Sequence, residues 1–140
     1  MNRQTFLAAA FVAAAAPATA SPLPPVTIYR DTGCTCCEGW AEAVQNAGYH
    51  IDMRDLDHDR RLQRFRVSPS VAGCHTAIVG GYLVEGHVPL AAVAKLLRER
   101  PNIRGIATPG MPSGTPGMPG PKVPVQVVAI DDRRRLYYAE

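Results

Sequence analysis

The residue pattern predicts an α/β domain with the succession β-α-β-α-β-β-α and one added strand near its end. Three observations predict it. Val26-Thr27-Ile28-Tyr29 and Tyr49–Arg54 are β-rich runs, each followed by a stretch of helical character. Gly80-Gly81 joins two short apolar runs as a two-residue hairpin turn, because glycine accepts the positive φ such turns need. A third helical stretch opens at Pro89, where a missing N–H costs little, and stops at Pro101.

The elements follow in order. Met1–Ala20 has a single charge at Arg3, an unbroken apolar stretch from Phe6 to Ala16, and small residues in Ala18-Thr19-Ala20. It reads as a secretory signal peptide and is set aside from the fold. Ser21–Pro25 is a proline-rich linker. After the first strand, Asp31-Thr32-Gly33 breaks the run. Trp40, Ala43, Val44 and Ala47 then recur at i, i+3, i+4 and i+7, one buried stripe of a helix, and Gly48 stands where a C-cap glycine belongs. In the second strand Tyr49, Ile51 and Met53 share a side. Asp57–Phe65 is expected as a charged, exposed helix anchored by Leu62 and Phe65.

Thr76–Val79 and Tyr82–Val84 are the hairpin strands, and Leu90, Val93, Ala94 and Leu97 face the core from the third helix. Residues 103–124 hold so much proline and glycine that a long surface loop is expected, with Pro-Gly-Met-Pro at 109–112 and again at 116–119. Val123–Ile130 supplies the added strand. The domain thus spans 26–130, and 131–140 reads as a charged, solvated tail.

Composition bounds the function. The 140-residue chain carries a formal charge of +3, and loss of the leader removes only Arg3. So mild an excess gives no reason to expect nucleic acid. No apolar run of about 20 residues follows the leader, so no membrane insertion is expected of the mature chain. The default compartment is a bacterial periplasm, where disulfides form.

The chemistry concentrates in cysteine. Cys34, Cys36 and Cys37 fall within four residues at a strand–helix junction. Unpaired N–H groups and the dipole at a helix start favour thiolate over thiol. Cys34 and Cys37 have the Cys-x-x-Cys spacing, which suits either a disulfide or joint metal ligation. A pure disulfide staple, such as Cys34–Cys37 with Cys36–Cys74, is the plainer alternative, although a bond closing three residues stabilises little.

Cys74-His75 precedes the third strand, in a loop expected beside the start of the first helix. Soft sulfur with imidazole selects Cu(I) or Zn(II) over Mg or Ca. His87, after the fourth strand, is a further candidate ligand, or else a helix cap or surface group. Met111 and Met118, one in each Pro-Gly-Met-Pro copy, are thioethers with little core to fill, and thioethers bind Cu(I) without losing a proton. His50 and His58 lie in polar stretches and are expected to be exposed.

The strand–Cys-x-x-Cys–helix opening resembles the thioredoxin-like fold. More closely, the chain resembles the CopG-like family of exported metal-binding proteins. The matching stretches are Thr32–Trp40, Cys74–Ala77, Gly81–Pro89, and the Pro-Gly-Met segments at 109–112 and 116–118. The resemblance implies a thioredoxin-like scaffold and a role in copper resistance. It implies thiolate-bound copper, with several ions bridged by Cys34, Cys36, Cys37 and Cys74, and periplasmic copper chaperones or exporters as partners. Redox thioredoxins resemble one another in placing a cis-proline where Cys74-His75 stands here, which turns a docking surface into a coordination pocket. A thiol–disulfide oxidoreductase using Cys34 and Cys37, a copper protein cycling between Cu(I) and Cu(II), and a closed zinc site remain the alternatives.

Overall fold

The computed structural model describes residues 20–140. The leader expected over 1–20 lies, but for Ala20, outside them. The expected succession is present: β1 (Val26–Arg30), α1 (Thr35–Asn46), β2 (Ile51–Asp55), α2 (His58–Phe65), β3 (His75–Val79), β4 (Tyr82–Glu85) and α3 (Leu90–Glu99). Three strands follow, β5 (Gly105–Ala107), β6 (Gln126–Ala129) and β7 (Leu136–Ala139). They form one mixed sheet in the order β2-β1-β3-β4-β5-β6-β7. β1 runs parallel to β2 and antiparallel to β3, and β4 is parallel to β5.

Alternation along the strands assigns the two faces. Val26, Ile28, Ala77, Val79, Tyr82, Val84, Ile106 and Val127 point to the larger core, where α1 contributes Trp40, Ala41 and Val44 and α3 contributes Ala92, Val93 and Leu96. The opposite face packs Leu83, Ala107 and Val128 against Leu62, Phe65, Val67 and Val71, so α2 covers the other side. The domain has three layers.

Two expectations need correction. The 103–124 segment is not wholly irregular, because Gly105–Ala107 forms β5. Ile106 is fully buried and Gly105 lies close against Leu83, so these residues extend the sheet before the proline-glycine run begins. Residues 131–140 are not simply a solvated tail either. Asp131 closes a turn by accepting from Arg133 N–H and Arg135 Nε, and β7 then pairs with β6 through Val127↔Tyr138 and Gln126↔Ala139. The charged Arg133-Arg134-Arg135 run is the turn itself. Behind it Tyr137 and Tyr138 pack partly onto the larger core, and Lys95 Nζ sits 4.0 Å above the Tyr137 ring.

Candidate metal centre

Three segments converge at one end of the sheet. The first is the β1–α1 junction. Cys34 caps α1, and its sulfur accepts from the Cys37 N–H at 3.3 Å. Cys37 turns inward and is fully buried, whereas Cys34 and Cys36 are half-buried. Cys34 and Cys37 are joined by a disulfide, and Cys36 and Cys74 are free. The second segment is the loop into β3. The Asp31 N–H donates to the Cys74 carbonyl at 3.0 Å, which lays Cys74 beside the cysteine-bearing turn. The third is the turn after β4, where the Gly86 N–H donates to the His75 carbonyl at 3.0 Å and brings His87 alongside.

The sulfurs meet. Cys36 Sγ lies 3.4 Å from Cys34 Sγ and 3.6 Å from Cys74 Sγ. Cys74 Sγ is 3.2 Å from His87 Nε2 and 3.5 Å from His75 Nδ1. Cys74 therefore belongs to two donor groups, one of four sulfurs and one of Cys74, His75 and His87, each with its atoms within 4.8 Å of one another.

Both imidazoles are fully buried, which removes the surface reading of His87. Its ring meets Cys74 and Pro116 while α3 has no side-chain cap hydrogen bond, which removes the helix-cap reading. The His87 Nδ1 lies 2.7 Å from the Pro116 carbonyl. A carbonyl only accepts, so Nδ1 carries the proton and Nε2 presents a lone pair toward Cys74. Burial lowers the pKa of His87, partly opposed by that bond. Burial, with the nearby His87 and Arg61, drives His75 down to about 3, so it is neutral. His75 Nε2 is buried with no hydrogen-bond partner. The His75 ring packs on Trp40 at 4.8 Å between centroids, and the Trp40 indole N–H donates to the Val88 carbonyl at 2.9 Å. Burial, reinforced by Cys36, pushes the Cys74 thiol up to about 12, the opposite of the thiolate preference expected at the helix start across from it.

The methionines divide. Gly117 sits directly against α1: a Cβ there would lie 2.4 Å from the Trp40 nitrogen and 2.7 Å from the Cys36 carbonyl. A Cβ on Gly39 would in turn lie 2.8 Å from Gly117 Cα. The second Pro-Gly-Met-Pro copy is thereby pressed onto the first turns of α1, and Met118, half-buried, follows the contact. Met111 in the first copy is 41 % exposed. His50 and His58 are exposed, as expected.

Sequence reasoning missed a buried polar network beneath the site. Arg61, expected on an exposed helix, has no solvent exposure and pairs with Glu85, also fully buried, at 2.8 Å. Burial opposes the Arg61 charge, yet Glu85 and Asp31 together raise its pKa. Burial pulls the Glu85 pKa up, while Arg61, the Thr76 hydroxyl and the Gly73 N–H pull it back. The sequence signal was Glu85 itself, a carboxylate two residues from Leu83 on an inward-facing strand row.

The fold and the donor set define a mixed α/β protein with a cysteine cluster able to hold a metal ion. Known structures narrow the class. The chain is 32% identical to "Copper resistance protein copG- Form 1", with a TM-score of 0.75, over 84% of this chain and 98% of that one. The Form 2 structure of the same protein matches at 34% identity and a TM-score of 0.75, over 86% and 99%. The chain belongs to the CopG copper-resistance family. A family model described as "Protein of unknown function, DUF411" matches residues 71–118, from the Cys74 loop to Met118. No curated protein matches significantly.

Proposed function

We propose that this chain is a periplasmic copper-binding protein of copper resistance. It holds Cu(I) on Cys34, Cys36, Cys37 and Cys74, with His75 and His87 completing the donor set. The observation that carries the reading is the meeting of Cys36 and Cys74, 38 residues apart in sequence, with sulfurs 3.6 Å apart and a third sulfur 3.4 Å from Cys36. Soft thiolates in that number suit monovalent copper, and bridging sulfurs let four cysteines hold more than one ion. The lone pair on His87 Nε2 and the His75 ring, whose Nδ1 lies 3.5 Å from Cys74 Sγ, offer borderline donors at the edge of the cluster. Full use of the sulfurs requires reduction of the Cys34–Cys37 bond and loss of the Cys74 proton, so binding releases protons. Met118 follows Gly117, which packs against the Cys36 carbonyl, whereas Met111 is exposed, so Met118 is the thioether we assign as the further donor.

The signal-like pattern of Met1–Ala20, the strand order β2-β1-β3-β4 and the Cys-x-x-Cys at the start of α1 support a periplasmic, thioredoxin-like scaffold. Cys34, Cys36 and Cys74 are partly exposed, which suits ligand exchange with a periplasmic copper chaperone or exporter. The test is competition for Cu(I) between the reduced chain and a chromophoric chelator, with metal and thiols counted on the same sample. Uptake of copper at one or more ions per chain is expected. Failure to withdraw Cu(I), or a single tightly held zinc in its place, overturns the proposal.

One observation favours a second reading. The Cys34–Cys37 disulfide spans a Cys-x-x-Cys at the start of α1, the arrangement of a thiol–disulfide oxidoreductase. That reading expects insulin reduction that Cys34→Ser abolishes and Cys74→Ser largely spares. Cycling of bound copper between Cu(I) and Cu(II) would join the two readings, and electron transfer to the loaded protein tests it.

A further inference from the structure

We infer that Arg61 is a positioning residue that locks the three donor-bearing segments into one register. Its guanidinium hydrogen-bonds to no donor atom of the cluster. Nη1 donates to Thr76 Oγ1 at 2.7 Å and to Glu85 Oε1 at 2.8 Å, Nη2 donates to the Gly73 carbonyl at 2.6 Å, and Nε donates to Asp31 Oδ1 at 3.0 Å. Each anchored residue adjoins a donor. Asp31 lies three residues before Cys34, Gly73 and Thr76 bracket Cys74-His75, and Glu85 lies two residues before His87.

Glu85 closes the lattice. Its Oε1 accepts from the Gly73 N–H at 2.8 Å and its Oε2 from the Thr76 hydroxyl at 2.5 Å. Both polar groups of Gly73 are thus held by the two halves of one ion pair. Gly73 leaves no room for a side chain of its own, since a Cβ there would lie 2.6 Å from Gly86 Cα, so its segment is tied through its backbone groups. A buried ion pair adds little net stability over an apolar pair of the same shape. What it adds is direction: a planar fork with donors at fixed angles reaches three segments at once, which a lysine ammonium on a flexible stem does not. Arg61 also approaches His58 Nδ1 at 3.3 Å, at the exposed end of the network.

The inference rests on the copper reading for the purpose of the cluster, but its test uses no copper. With Cys34–Cys37 oxidised, the full chain has only Cys36 and Cys74 free. Phenylarsine oxide bridges two thiols only when they lie side by side, with loss of one water. Its dissociation constant therefore measures how well Cys36 and Cys74 are held together. Arg61→Lys is expected to weaken arsenical binding about 10- to 100-fold, the range for loss of a supporting partner in a metal site. Val93→Ala, in the α3 core, is expected to lower the melting temperature and leave arsenical binding unchanged.

Unchanged binding in folded Arg61→Lys overturns the inference. So does an equal loss in Val93→Ala, which would make general loosening the cause. If Arg61→Lys does not fold, Asp31→Ala decides, at a half-buried carboxylate: weaker binding supports the inference and unchanged binding overturns it. A wild-type chain that pairs the arsenical but takes up no Cu(I) sinks the copper reading while leaving the role of Arg61 standing.

Discussion

Gly39→Ala sets two effects of opposite sign against each other. Gly39 lies inside α1, where alanine is favoured over glycine by about 1 kcal/mol. Helix propensity alone therefore predicts a gain in melting temperature of roughly 4 °C for a domain of this size. The added Cβ would, however, stand 2.8 Å from Gly117 Cα and 3.3 Å from its carbonyl oxygen. Holding the loop in place against backbone at that distance would cost about 1–3 kcal/mol, as overpacking does. The loop is expected to lift instead, cancelling the helix gain. Pro116 then moves with it, and His87 Nδ1 loses the carbonyl that fixes its proton. Calorimetry reads the first effect. Long-range proton–nitrogen NMR of the imidazoles reads the second, as a shift from one His87 tautomer to a mixture. Cu(I) affinity should fall about 10- to 100-fold. A variant that gains the full 4 °C, keeps the His87 tautomer and binds Cu(I) as before refutes the reasoning.

Other outcomes follow from the same geometry. In metal-free protein, His75 is neutral when folded, with a pKa near 3 against about 6.5 unfolded. The unfolded chain takes up the extra proton between those values, so stability falls as pH drops below about 6.5, by at most about 1.4 kcal/mol per pH unit. Urea midpoints at a series of pH values should show a steeper acid loss in wild type than in His75→Phe, and equal slopes would count against a buried neutral imidazole. Cys74 is shared by both donor groups, so Cys74→Ser should lower Cu(I) affinity more than Cys36→Ser does, by more than about 100-fold, in chelator competition. Deleting residues 136–140 should cost about 2 kcal/mol of stability in urea, through the partly buried Tyr137 and Tyr138, while Cu(I) affinity holds. An unchanged midpoint would return 131–140 to the status of a solvated tail.

The seven elements from β1 to α3 were legible because each buries one face, and burial of one face imposes a period on the sequence. The cysteines and Cys74-His75 were legible because soft donors at a strand–helix junction have few other uses. What stayed hidden had no period to show. β5 is three residues long, its pattern cut off by the proline-glycine run. β7 follows three arginines that read as a solvent-facing end until their turn is seen to reverse the chain. Arg61 was hidden for a different reason. Arginine is almost never fully buried unless paired, and its partners Glu85 and Asp31 lie 24 and 30 residues away, on opposite sides in sequence. His87 was ambiguous because the group that fixes its proton is a backbone carbonyl, which any residue carries.

Trp40 gives the molecule an optical gauge of its own. It is the single tryptophan of the chain, fully buried, with its ring against His75. An indole so placed loses emission when the facing imidazole takes up a proton or when a quenching ion settles beside it. Filling of the pocket, acid titration and lifting of the loop pressed against its own backbone nitrogen can all be followed from one intrinsic fluorophore, without attaching a dye.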